Sequence, residues 1–169
     1  MIKLSSALLT LTATLATSSA LAASVASSKA NMAEMRQVTT HFQTALQKKD
    51  GPALRSLFLN DSVPVIGVAS DKTITRIRMK KADAAKVLPS TSSKFIESIV
   101  SDKSDSQENF SNIRINGDGA VACIYFNFVF ESDGNPENIG SESWLLVRTD
   151  QGWKISSIVY SMNFPEKKS

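Results

Sequence analysis

Asn116-Gly117-Asp118-Gly119, followed by Ala120-Val121-Ala122-Cys123-Ile124-Tyr125-Phe126-Asn127-Phe128-Val129-Phe130, is the stretch that decides the fold. The first four residues are a turn signal, because Asn-Gly and Asp-Gly tolerate the positive φ angles of tight hairpin turns. The residues after them are largely β-branched and aromatic and read as a strand. From Val121 to Phe130 only Asn127 is polar. An antiparallel strand with one wet face alternates apolar and polar residues. This strand does not, so both faces of its sheet are expected to be covered. Helices can cover one face. A second copy of the chain, a homodimer through the sheet face, is the simplest cover for the other.

The neighbouring segments continue a meander. Asn112 to Asn116 reads as the preceding strand. Glu131 to Asn138 reads as a loop holding Asp133-Gly134 and Pro136. Ser141 to Thr149 is the next strand, Asp150-Gln151-Gly152 a turn, and Trp153 to Phe164 the last strand. Nearer the N-terminus the period changes. Met35, Val38, Phe42, Ala45 and Leu46 share one helical face, and Lys48-Lys49-Asp50 ends that helix. Asp50-Gly51-Pro52 reads as an N-cap with proline in the first turn of a short helix that buries Leu54, Leu57 and Phe58. Val63 to Val68 is a β-branched run. Thr73 to Met79 alternates like a second strand, with Ala69-Ser70-Asp71-Lys72 as the hairpin connection. Lys80 to Leu88 favours helix and is stopped by Pro89. Phe95, Ile96, Ile99 and Val100 have helical spacing, with an extended segment as the alternative. Ser101 to Asn109 is polar and reads as a loop. Helices first and an antiparallel meander last indicate an α+β domain.

Composition narrows the function classes. Met1-Ile2-Lys3, an uncharged stretch from Leu4 to Leu21 and the A-x-A site Ala20-Leu21-Ala22 form a signal-peptide pattern. Cleavage before Ala23 is expected, giving a periplasmic or secreted protein with no membrane segment after processing. No cysteine follows the cleavage site, so a lipid anchor there is not expected. Residues 23–30 read as a disordered lead-in and 31–165 as one domain. The formal charge is +3 with both signs scattered, which argues against nucleic acid as a partner. Cys123 is the single cysteine and His41 the single histidine. That excludes an intramolecular disulfide and a zinc site built from His and Cys ligands. No P-loop or dinucleotide fingerprint is present, and no cofactor is expected.

Three stretches resemble the nuclear-transport-factor-2-like superfamily in its SnoaL-like and lumazine-binding-like bacterial branches. They are Phe42 to Asp50 leading into Leu54-Arg55-Ser56-Leu57-Phe58, Ile115 to Ala122, and Trp144-Leu145-Leu146-Val147-Arg148-Thr149-Asp150-Gln151-Gly152-Trp153-Lys154-Ile155. The resemblance spans about Val38 to Phe164. It implies a cystatin-like architecture: a curved antiparallel sheet wrapped around N-terminal helices to form a cone with a pocket at its open end. It also implies a dimer. Some members, such as ketosteroid isomerase and the polyketide cyclases, are enzymes acting on hydrophobic ring compounds. Many others are ligand-binding or accessory domains.

The isomerase pattern can be carried over residue by residue. Its oxyanion-donating tyrosine falls at Phe42, which has no hydroxyl. Its general-base carboxylate falls near Ile66, between Val65 and Val68, and no Asp or Glu lies between Ser62 and Ser70. Both roles are empty there. His41 is offset from the apolar stripe and reads as a surface or half-buried residue. Asp61 and Asp71 read as turn residues, and Trp153 as structural.

The aromatic residues give the better site. Phe42, Tyr125, Phe128, Trp144 and Tyr160, with Arg78 as a charge for an acidic group, are the candidate pocket residues. Strand parity separates Tyr125 from Phe128, and Trp153 from Tyr160, in unbulged strands. The leading expectation is a non-catalytic pocket for a small hydrophobic or ring-containing ligand. The alternatives are a cyclase, isomerase or hydrolase of hydrophobic ring compounds, which requires a titratable group deep in the cone, and an accessory domain that binds a partner chain.

Overall fold

The computed structural model describes the backbone of residues 14–165 and the side chains of residues 29–165. Residues 1–13, which hold the start of the expected signal peptide, lie outside this range. The order is α1 (Thr14–Gln47), α2 (Gly51–Leu57), β1 (Pro64–Ala69), α3 (Asp71–Arg78), β2 (Val87–Thr91), α4 (Ser92–Ser101), β3 (Ser106–Gly117), β4 (Val121–Ser132), β5 (Asn135–Thr149) and β6 (Gly152–Met162). The six strands form one sheet in the order β2-β1-β6-β5-β4-β3. Pairing is antiparallel except between β1 and β6, which run parallel.

Three helices pack on the concave face. α1 contributes the expected stripe, with Met35, Val38, Phe42, Ala45 and Leu46 all buried. α2 begins as expected: the Asp50 carboxylate accepts from the Ala53 amide, satisfying a free N–H of the first turn. α4 is helical, capped by Thr91, and buries Ile96 and Ile99. The sheet answers with Ala122, Ile124, Phe126 and Phe128 of β4, Trp144 and Leu146 of β5, and Trp153, Ile155 and Ile158 of β6. Register shifts between Ser111 and Arg114, between Phe130 and Glu131, and between Leu145 and Leu146 mark bulges in the meander. Bulges bend strands and strengthen twist, which lets a sheet this long wrap its helices.

Several segments differ from the sequence reading, each for a local reason. Residues 71–78 form α3 rather than a second hairpin strand. Ser70 caps it by accepting from the Thr73 amide, Asp71 sits in the first turn and Arg76 and Arg78 in the last, as the helix dipole favours. Residues 80–88 are not a helix; β2 starts at Val87 and contains Pro89. A proline without an N–H is tolerated because β2 is an edge strand. The polar segment expected as a loop enters β3 at Ser106. The loop expected over 131–138 shrinks to a tight turn, with Asp133 and Gly134 at positive φ. Residues 23–30 lie within α1, where Ala23, Ala26 and Ala30 favour helix.

β4 alternates in burial although it does not alternate in composition. Its even-numbered residues face the helices. On the other face Val121 is 54% and Tyr125 38% exposed, and Cys123 is exposed. Leu145 and Val159 extend this apolar surface across β5 and β6.

Candidate functional site

The concave face does not close completely. A cavity of about 260 Å³ remains between the sheet, α1 and α4. Its walls are aromatic: Phe42 from α1, Phe95 from α4, Phe128 and Phe130 from β4, Tyr160 from β6, and Phe164 beyond it. Phe42 stacks on Phe95 at 5.8 Å between ring centres, and Phe128 meets Tyr160 edge-on at 6.3 Å.

Of the six candidate pocket residues, Phe42, Phe128 and Tyr160 line this cavity. Trp144 lies behind the wall, fully buried, with its ring 4.8 Å from Phe42 and 5.1 Å from Phe126. Tyr125 does not belong to the site. One residue before the inward-facing Phe126 on β4, it points to the convex face, as parity requires. Arg78 does not belong either. It is exposed near the end of α3, and its Nε donates to the Ala84 carbonyl. His41 sits on an outer groove beside Arg148 and Trp153, away from the cone.

The expected separation of Trp153 from Tyr160 also fails. Leu145 pairs with Ser157 but Leu146 pairs with Ile155, so one extra residue is accommodated in β6. That bulge resets the parity and leaves Trp153, Ile155, Ile158 and Tyr160 on the concave side.

Two residues that the sequence reading missed dominate the chemistry. Glu108 of β3 and Glu142 of β5 line the cavity and are only 8% and 5% exposed. Glu142 follows from parity: Trp144 and Leu146 face inward, so position 142 on the same strand does too. Glu108 was hidden because its segment looked like a loop. The strand places it opposite Phe130, and its backbone carbonyl accepts from the Gln43 amide side chain of α1. Glu142 accepts a hydrogen bond from the Trp144 indole N–H. The Glu108 carboxyl has no hydrogen-bonding or ion-pair partner among the described residues.

Burial raises both carboxyls, since a low-dielectric wall penalises the charged form. Glu142 is pushed up to about 7, against a smaller opposing effect of the Trp144 hydrogen bond. Glu108 is raised well above the ordinary carboxylate range by burial and then by the charge of Glu142. The two titrate as one coupled unit. The Tyr160 hydroxyl is raised by burial and then by Glu142 and Glu108. Its position depends on Gly67, its partner on β1: a Cβ at Gly67 would lie 2.8 Å from the tyrosine oxygen.

The cone therefore holds what the isomerase positions lacked. Phe42 offers no hydroxyl, and β1 offers Val65 to the cavity rather than a carboxylate. The carboxyls come instead from β3 and β5, with the Tyr160 hydroxyl nearby. Such a set can donate and accept protons near neutral pH.

Residues 35–165 match the SnoaL-like domain family. No curated protein matches the sequence significantly. Solved structures agree on the fold. A candidate scytalone dehydratase from Novosphingobium aromaticivorans superposes with a TM-score of 0.62 at 14% identity, covering 86% of this chain and 92% of the other. A nuclear-transport-factor-2-like protein with a cystatin-like fold, also from Novosphingobium aromaticivorans, gives 0.61 at 13%, covering 87% and 90%. A candidate dehydratase of the same family from Streptomyces avermitilis gives 0.59 at 17%, covering 81% and 99%. The match over residues 35–165 establishes that the chain belongs to the SnoaL-like domain family, and these superpositions show that its six-stranded sheet has the nuclear-transport-factor-2-like, cystatin-like fold.

Proposed function

We propose that the cone binds a small, ring-containing and mostly apolar molecule whose polar end meets Glu108, Glu142 and Tyr160. One observation carries this reading: a cavity with aromatic walls surrounds a few convergent polar groups, the usual composition of a small-molecule site. Its volume of about 260 Å³ lies just below the usual range of about 300–1,000 Å³ for such sites, so a compact ligand fits best. Native mass spectrometry of protein purified from its own host is the test. A co-purifying small molecule, lost when Phe128 is changed to Trp to fill the cavity, is the expected result. Protein that is always empty and insensitive to ring compounds in thermal-shift assays would count against it.

The second reading is catalytic, and the carboxyl pair favours it. A coupled pair that shares a proton near neutral pH supplies a general acid and a general base together. Proton transfer on a hydrophobic ring compound is the fitting reaction class. The names of the dehydratase-like structures belong to those proteins and add only the precedent of the fold. Incorporation of solvent deuterium into a cyclic ketone, abolished by Glu142→Gln and by Glu108→Gln, would support catalysis. Incorporation that is equal in both variants would argue against it.

Two further parts of the proposal concern context. The N-terminal pattern supports export with cleavage between Ala22 and Ala23, which Edman sequencing of the mature protein checks. Among the described residues no helix is long and apolar enough to cross a membrane. The exposed apolar surface of Val121, Tyr125, Leu145 and Val159 supports a homodimer through the convex face of the sheet.

A further inference from the structure

The cavity has aromatic walls, but its charges are all of one sign. Glu108 and Glu142 lie in its wall, Glu137 also borders it, and neither lysine, arginine nor histidine does. This holds although the whole chain carries a formal charge of +3. The titratable groups facing the pair from the packed elements are Glu137 and Tyr160; α1, α4, β1 and β4 present only neutral side chains there. Glu142 has one donor, the Trp144 indole. Glu108 is more than nine-tenths buried, lines the cavity and has no partner for its carboxyl among the described residues.

A buried carboxyl without a partner needs a compensating positive charge or a proton. In the empty cone the proton fills that role. The walls limit what could replace it. Phe42, Phe95, Phe128 and Tyr160 offer ring faces and edges, and ring faces attract cations when water is excluded. Among the described residues no group of His, Cys, Asp or Glu is placed to hold a metal ion. Apolar walls also suit a carbon skeleton better than a hydrated ion.

We infer that the ligand's polar end is cationic, and that the cone takes an organic amine: an ammonium seated between Glu108 and Glu142, with its ring or alkyl body against the phenylalanines. This rests on the ligand-binding reading above and names the chemical class of that ligand. Binding exchanges a proton of the carboxyl pair for the ammonium, so it releases a proton and weakens as the pair becomes protonated.

The test is calorimetry on the full mature chain with three probes of one size: 2-phenylethylammonium, 2-phenylethanol and phenylacetate. At pH 8 the ammonium is expected to bind at least about tenfold more tightly than the alcohol, the equivalent of one modest charge interaction, and phenylacetate most weakly. The preference should shrink at pH 6, and the observed heat should vary with the ionisation enthalpy of the buffer because a proton is released. Glu108→Gln and Glu142→Gln should each erase the preference for the ammonium while the alcohol still binds. Binding of the alcohol as tight as that of the ammonium, without proton release, would overturn the cation inference and leave the ring pocket standing. Binding of none of the three at millimolar concentration would overturn both. Thermal unfolding of the glutamine variants shows that they are folded, so a lost preference reports charge rather than collapse.

Discussion

The indole N–H of Trp144 donates to the Glu142 carboxylate at 2.5 Å, two residues back along the same strand. The bond joins the centre of the hydrophobic core to the polar end of the cavity. Trp144 is fully buried among Phe42, Phe110 and Phe126, so the donor cannot swing away. Because the bond favours the charged carboxylate, it opposes the upward pressure of burial on Glu142. Trp144→Phe should therefore raise the midpoint of Glu142 titration further. Its stability cost should grow with pH, reaching about 1.5–3 kcal/mol for the lost charge-assisted bond where Glu142 is ionised. Denaturant unfolding at pH 5 and pH 8 measures the difference.

Stability of the unaltered protein should fall as pH rises. The folded-state value of Glu142 is about 7 against 4.5 for the free side chain. Between those values the folded chain binds more protons than the unfolded chain, so unfolding becomes easier with each step up in pH. Glu108, also raised, acts in the same direction. The stability is fully present below pH 4.5 and declines up to and through pH 7, by about 3 kcal/mol for Glu142 alone. Glu142→Gln should flatten this part of the profile and stabilise the protein at pH 8. A profile that rises between pH 5 and pH 8 would contradict the burial of the pair.

Gly67 and Tyr160 make a second testable pair. A methyl group at Gly67 would meet the Tyr160 oxygen at 2.8 Å and the Met162 sulfur at 3.0 Å. Gly67→Ala should push the tyrosine ring aside at a cost of about 1–3 kcal/mol. It should alter ring-ligand binding in the cone more than Tyr160→Phe does, because it moves the ring as well as the hydroxyl. Thermal unfolding and probe affinity for the two variants separate the effects.

The convex face gives a prediction about assembly. Leu145 is 53% exposed beside Val121 and Val159, so Leu145→Glu removes no core packing. Light scattering at micromolar concentration should show a dimer for the unaltered chain and a monomer for the variant, with similar thermal stability of the isolated fold. A monomer in both cases would remove the dimer from the proposal.

The start of α3 rests on one side chain. The Ser70 hydroxyl accepts from the Thr73 amide at 3.2 Å, and Ser70→Ala should cost about 1 kcal/mol, as a lost N-cap does. The Thr73 hydroxyl accepts from the Phe164 amide. Fraying of α3 should therefore loosen residue 164 at the cavity, which hydrogen exchange at both amides would show.

Local chemistry made much of this protein legible in its sequence. The stripe from Met35 to Leu46, the Asp50 cap, the turn at Asn116 to Gly119 and the last strand depend on neighbours a few residues away, and they stand where periodicity and turn residues put them. The same holds for Phe42, which lies on that stripe and lines the cavity. Short segments were ambiguous. Thr73 to Met79 satisfies a strand pattern and a helix pattern, and the Ser70 cap decided for helix. Tertiary structure alone decided the rest. β1 lies beside β6 through a parallel pairing that no local signal encodes. The bulge in β6 returned Tyr160 to the concave side. Pairing with β4 turned a polar stretch into β3 and carried Glu108 into the cone, 34 positions from Glu142 in sequence but coupled to it in space. Propensity acts between neighbours in the chain, whereas the acidity of these carboxyls arises from the walls and charges that folding places around them.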